Sequence, residues 1–177
     1  VKLFFLFVLL LSISIKCIGS TDPDFQKLLF VEQIRFLIKG NGKWKAENPG
    51  YKNKDDWSIR YYGYEFEKGI EESILKLRIT GYIPSKLMKV IFWEGFYYWD
   101  YIKNRLSYIS VNPDGQVARG LSDSINASLL VLSLTLTNKN GETKLHKDTH
   151  LFNDDKIQSV SLKWEEGRWI KNSEMLW

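Results

Sequence analysis

The chain has 177 residues, with 25 lysines and arginines against 21 aspartates and glutamates, a formal net charge of +4 and a single cysteine. That length builds one domain with a real core. Lys2 and Lys16 supply two of the positive charges near the start, and the other lysines alternate with glutamates, so no basic stripe marks a nucleic-acid surface. With Cys17 alone, thiolate metal sites and an internal disulfide framework are excluded.

Residues 1–19, VKLFFLFVLLLSISIKCIG, hold Lys2, an apolar run from Leu3 to Ile15 and then small residues, the pattern of a secretory signal. The run is too short for a stable bilayer-spanning helix, so no transmembrane segment is expected in the mature form. Cleavage is expected after Gly19, with Ser20 as a second choice. Lys16 occupies the place where a lipoprotein site has a small residue, which argues against anchoring through Cys17. A cysteine-free exported domain must be held by its own core, which suits a bacterial periplasmic or secreted protein.

The next segment, residues 20–42, is predicted to be one helix and its turn. Asp22 can cap, Pro23 suits the first turn and Gly40 suits the left-handed stop. Phe25, Leu28, Leu29, Glu32 and Phe36 lie near one face, with Val31, Ile34 and Leu37 widening the stripe, so the helix is expected to serve as a lid or plug.

From residue 43 to 177 the period changes to two. LKLRI sets Leu75, Leu77 and Ile79 against Lys76 and Arg78; LLVLSLTLTN sets Leu130, Leu132, Leu134 and Leu136 on one face; VSLKW groups Val160, Leu162 and Trp164. Turn chemistry at Lys68-Gly69, Asn112–Gly115, Asn138–Gly141, Asn153–Asp155 and Glu166-Gly167 divides this region into strands near 43–47, 57–67, 72–82, 87–99, 104–111, 116–124, 127–137, 143–152, 156–164 and 168–172. Gly63 predicts a bulge or sharp coil. KAENPGYKNKDD is the longest loop and could overhang one mouth. A meander this long escapes its edge problem by closing, so the expected fold is all-β, an up-and-down antiparallel barrel of about eight to ten strands preceded by one helix.

Gly42-Lys43-Trp44 at the start of the first strand, after a short helix and before a meander, resembles the Gly-x-Trp of lipocalins in the calycin superfamily. The resemblance implies that Trp44 closes the narrow end of the barrel and that Arg168, in EGRW, stacks over it. Together with YYWDYIKNRLSYISVNPDG, the pattern over roughly residues 36–177 is similar to bacterial lipocalin-like domains related to the haem-binding nitrobindin barrels. The nitrobindin haem-ligand region finds no counterpart in this chain, so no cofactor is expected from the resemblance.

LHKDTHLF is the best chemical candidate. On a strand His146, Asp148 and His150 share a face, and such residues ligate zinc or haem iron. His146 and His150 lie roughly 13 Å apart along a strand, too far to share one ion. The expected reading is a solvated outer face, with Leu145 and Leu151 inside; metal or haem binding and a structural hydrogen-bonding role are the alternatives.

Aromatic residues make up 15% of the chain, concentrated in YYGYEF and FWEGFYYWDY. They suit a cavity for a small hydrophobic or amphipathic molecule and equally a filled interior. Tyr61, Leu77, Phe92, Glu94, Leu132 and Trp164 are the expected lining. Glu94 sits within VIFWEGFYY, where burial would raise its pKa, although Gly95 beside it suggests a bulge that turns it outward. No Gly-x-Ser-x-Gly elbow, phosphate loop, His-Glu-x-x-His or cysteine nucleophile is present, and the Asn126-Ala127-Ser128 sequon is read as chance in a bacterial protein. The leading expectation is an exported, non-enzymatic ligand-binding barrel. The rivals are a cone-shaped α+β enzyme of the cyclase or isomerase type, with Glu94 or His146 inside, and a filled barrel acting as an envelope or surface interaction module. The oligomeric state is left open by the sequence.

Overall fold

A computed structural model describes residues 22–52, 57–70 and 72–177. The signal-like segment and Cys17 lie outside the described residues. Helix α1 (Pro23–Leu37) begins where the sequence places it: the Asp22 carboxylate accepts from the backbone N–H of Asp24 at 3.0 Å, and Pro23 fills the first turn. Its core face is Phe30, Gln33, Ile34 and Leu37, while Phe25 and Leu28 are exposed, so the buried stripe is rotated from the expected one. The chain leaves the helix through Gly40 and Gly42, both at positive φ. At Gly42 a Cβ would stand 2.1 Å from the carbonyl oxygen of Phe66, whose N–H donates to the Gly42 carbonyl at 2.7 Å. Only glycine fits the turn and lets the two backbones meet.

Ten strands follow: β1 (Lys43–Glu47), β2 (Tyr61–Lys68), β3 (Ile74–Ile83), β4 (Met88–Asp100), β5 (Arg105–Val111), β6 (Val117–Asn126), β7 (Leu129–Thr137), β8 (Thr143–Asn153), β9 (Lys156–Glu165) and β10 (Arg168–Leu176). Each pairs antiparallel with the next in chain order, giving one up-and-down sheet that curls into a nearly closed barrel. After α1 the described residues hold no further helix beyond two 3₁₀ turns, Lys39–Asn41 and Pro84–Lys86, so the cone-shaped α+β alternative does not fit. Among the described residues no helix is long and apolar enough to cross a membrane.

Register is interrupted at Ile79/Thr80 on β3, Ser122/Ser124 on β6 and Lys171/Ser173 on β10. The bulge expected at Gly63 is absent: β2 pairs with both neighbours in unbroken register there. Gly63 instead makes room for Thr80, whose hydroxyl would lie 2.6 Å from an added Cβ.

The base of the barrel is solid. Phe30, Ile34 and Leu37 of α1 meet Leu75, Leu77, Leu106, Leu132 and Ile157, all at 5% exposure or less. Gln33, itself 2% exposed, donates its amide to the carbonyls of Asn126 (2.7 Å) and Leu129 (3.1 Å), fastening the helix to the β6–β7 hairpin. Trp44 stacks on Phe36 with ring centroids 5.2 Å apart and donates its indole N–H to the carbonyl of Leu37 at 2.8 Å. The tryptophan of Gly42-Lys43-Trp44 thus ties the end of the helix to the first strand.

Arg168 does not stack over it. β10 runs from the mouth to the base, so Arg168 is exposed at the opposite end, roughly 30 Å along the strand from Trp177. Trp177 holds the base of the seam instead. Its backbone exchanges hydrogen bonds with Ile157 (2.8 and 3.1 Å), its indole N–H donates to Ser159 at 2.8 Å, and its ring stacks on Tyr64 of β2 at 3.8 Å. β1 and β10 come close, yet among the described residues no hydrogen-bonded ladder joins them.

Candidate ligand-binding site

Above the packed base the barrel holds a cavity of about 350 Å³ that opens to solvent. Its polar wall is set by register. The β7–β8 turn closes with the N–H of Asn138 on the Glu142 carbonyl at 3.0 Å and the N–H of Gly141 on the Asn138 carbonyl at 3.0 Å. That turn places Leu134 opposite His146, Leu132 opposite Asp148 and Leu130 opposite His150. Opposed residues in an antiparallel pair share a face, and these leucines are inside, so the three polar side chains are inside as well. His146, Asp148 and His150 line the cavity, and His150 is 6% exposed. Leu145 and Leu151 are on the outer face. The expectation of a solvated outer triplet is overturned.

β9 and β10 continue this wall with Ser159, Ser161, Asn172 and Ser173. Across from it stand Tyr62 and Tyr64 of β2, Ile79 of β3, Phe92 and Trp93 of β4 and Tyr108 of β5. One side of the cavity offers hydrogen bonds and the other offers rings. Tyr64 and Trp177 make the floor, with Tyr108 beside them leaning on Tyr97 at 4.9 Å.

Burial decides the protonation states. It pushes His150 below its ordinary value of 6.5, with the Asp148 carboxylate pulling the other way, so the imidazole is neutral at pH 7. His146, less buried, is shifted the same way, by burial first and then by Lys144 and Lys163, against Asp148. Burial also raises the hydroxyls of Tyr64, Tyr97 and Tyr108 well above the usual tyrosine range, leaving them neutral donors. Two buried polar atoms on the wall, Asp148 Oδ1 and His150 Nε2, make no hydrogen bond with the described residues.

Of the six side chains expected at the cavity, Phe92 lines it. Leu77 and Leu132 point inward but belong to the solid base. Tyr61, Glu94 and Trp164 are on the outer face, and each has a physical reason. Tyr61 stacks on Tyr82 at 4.9 Å beneath the Lys45 ammonium, because Tyr62, Tyr64 and Phe66 hold the inner phase of β2. Glu94 follows the β4 irregularity that inserts Phe92; it pairs with Arg78 at 2.8 Å and Lys76 at 3.3 Å, and these cations lower its pKa where burial was expected to raise it. Trp164 is 42% exposed and meets Trp169 edge-on at 5.2 Å, because the register with β8 turns Ile157, Ser159 and Ser161 inward.

Of the residues missed, chiefly Tyr64, Ser159, Ser161, Asn172 and Trp177, the two serines carry a signal. In β9 the serines alternate with Gln158, Val160 and Leu162, and only a polar interior makes that phase intelligible. His146 and His150, four strand positions apart, do not converge on one point, and among the described residues no group of three His, Cys, Asp or Glu side chains could hold a metal ion.

Fold and site together define a nearly closed ten-stranded antiparallel barrel with an amphipathic internal cavity, an architecture compatible with a lipocalin-like fold. No protein-family model matches the chain, and no curated protein matches it.

Proposed function

We propose that the barrel binds a small amphipathic molecule between its ring-lined and polar walls, and that the leader at residues 1–19 sends it to the periplasm or beyond. The observation that carries the reading is the cavity itself. Its volume of about 350 Å³ falls within the roughly 300–1,000 Å³ of small-ligand sites, and it combines aromatic surface with unbonded polar atoms at Asp148 and His150. A barrel built for stability alone would fill this space with side chains. The polar residues are on the inside of β8 and β9 while Leu145, Leu151 and Trp164 are outside, which reverses the order that stability favours.

The test is native mass spectrometry of the protein purified gently from its own host. Its mass should exceed the denatured mass by that of a single small molecule. Equal masses, together with no saturable binding of lipids or other amphiphiles by the refolded protein, would overturn the reading. Visible absorbance in the fresh sample would identify the occupant as a tetrapyrrole, the case in which a buried imidazole such as His150 faces a metal.

A further inference from the structure

Among the described residues lining the cavity Asp148 is the only carboxylate, and none is a lysine or arginine. Its register neighbours are Leu132 on β7 and Ser161 on β9, neither of which can neutralise it. Its Oδ1 is buried and makes no hydrogen bond with the described residues. The nearest lysines by register stand toward the mouth: Lys163 faces Glu165 at 2.8 Å, and Lys144 is exposed. Beside Asp148, the 6%-exposed His150 presents an Nε2 in the same unbonded condition.

A carboxylate drawn out of water is costly unless a cation or several donors reach it. The cavity is also lined by Tyr62, Phe92, Trp93 and Tyr108, and aromatic rings attract positive charge over their faces. An anionic head placed beside Asp148 would meet a like charge and be repelled.

We infer that the cavity selects an amphipathic cation, whose ammonium head donates to Asp148 and His150 while its apolar body lies toward Ile79, Phe92 and Trp93. The inference rests on the reading of the barrel as a small-molecule binder and adds the charge of the occupant. Asp148 sets the sign of the ligand, and the aromatic wall accepts either an aliphatic or a ring-bearing tail.

Three probes of one chain length separate the contributions: octylammonium, octanol and octanoate, each titrated calorimetrically into the purified protein at neutral pH. Octylammonium should bind about tenfold or more tightly than octanol, as a charge-assisted hydrogen bond in a buried site predicts, and octanoate should bind most weakly. Asp148→Asn should abolish the preference, whereas Glu94→Gln, the same neutralisation on the outer face, should preserve it. Octanol or octanoate binding as tightly as octylammonium would overturn the cation assignment and leave an amphipathic binder. Binding of none of the three overturns the cation assignment, and equality of native and denatured mass would then remove the binding reading too. The comparison among probes is made on the wild-type protein, so it stands even where Asp148→Asn fails to fold.

Discussion

A proton placed on His150 would be a charge without water around it, and this makes the residue a reporter of pH. Burial holds its folded pKa below the ordinary 6.5. Above that value both folded and unfolded chains carry a neutral imidazole and stability is unaffected. As pH falls, the unfolded chain takes up the proton first, so stability declines from about pH 6.5 down to the depressed folded pKa and then levels. His146 works in the same direction. The melting temperature should therefore drop on acidification from about pH 7 to about pH 5, and His150→Gln should flatten that slope. An unchanged slope in the variant would mean that the imidazole is solvated in the folded state. Glu94 works in a separate window with the opposite cause: Arg78 and Lys76 hold its pKa below 4.5, so its contribution is present above that value and disappears as pH falls through the folded pKa.

At the scale of elements, α1 is a stopper held by a few specific bonds. Gln33 is the side chain to remove, because its amide serves two carbonyls of the β6–β7 hairpin from a position inside the core. Gln33→Leu keeps the volume and removes the donors, and should lower the unfolding free energy by about 1–3 kcal/mol in urea titration. Trp44→Ala removes both the stack on Phe36 and the bond to Leu37, and should cost about 3–5 kcal/mol. The limits of these elements were legible because turns are local: Asp22, Pro23, Gly42 and the Asn138–Gly141 turn act through their own backbone. β7 was legible too, since its leucines alternate on one inward face, Leu130 and Leu132 in the packed base and Leu134 and Leu136 on the cavity wall. The faces of β8 and β9 were not, because the rule that polar residues point to solvent fails where the interior itself is polar. Arg168 and Trp177 were exchanged for a different reason. The pairing of Trp177 with Tyr64 joins the two ends of the sheet, and no local pattern records which late side chain reaches an early strand.

For the whole molecule the weak line is the seam. All consecutive strands share ladders, whereas β1 and β10 approach without one among the described residues. Backbone amides of β10 should exchange with deuterium faster than those of β3, β4, β6 and β7, and a bound ligand should slow them. Uniform protection around the barrel would show that the seam is as firm as the ladders. The irregularity between Lys171 and Ser173, with Asn172 on the cavity wall, lies on this same strand.

The Tyr64–Trp177 stack is at once the clasp of that seam and the floor of the cavity. A fully laddered barrel is a hoop of fixed girth, and its occupant must fit the hoop. Here two rings in contact bridge the seam, so a guest resting on them would bear on the fastening itself. Under the proposed binding role, wider and narrower guests should be gripped by the same wall, with the tightness of the grip written in the circumference of the protein.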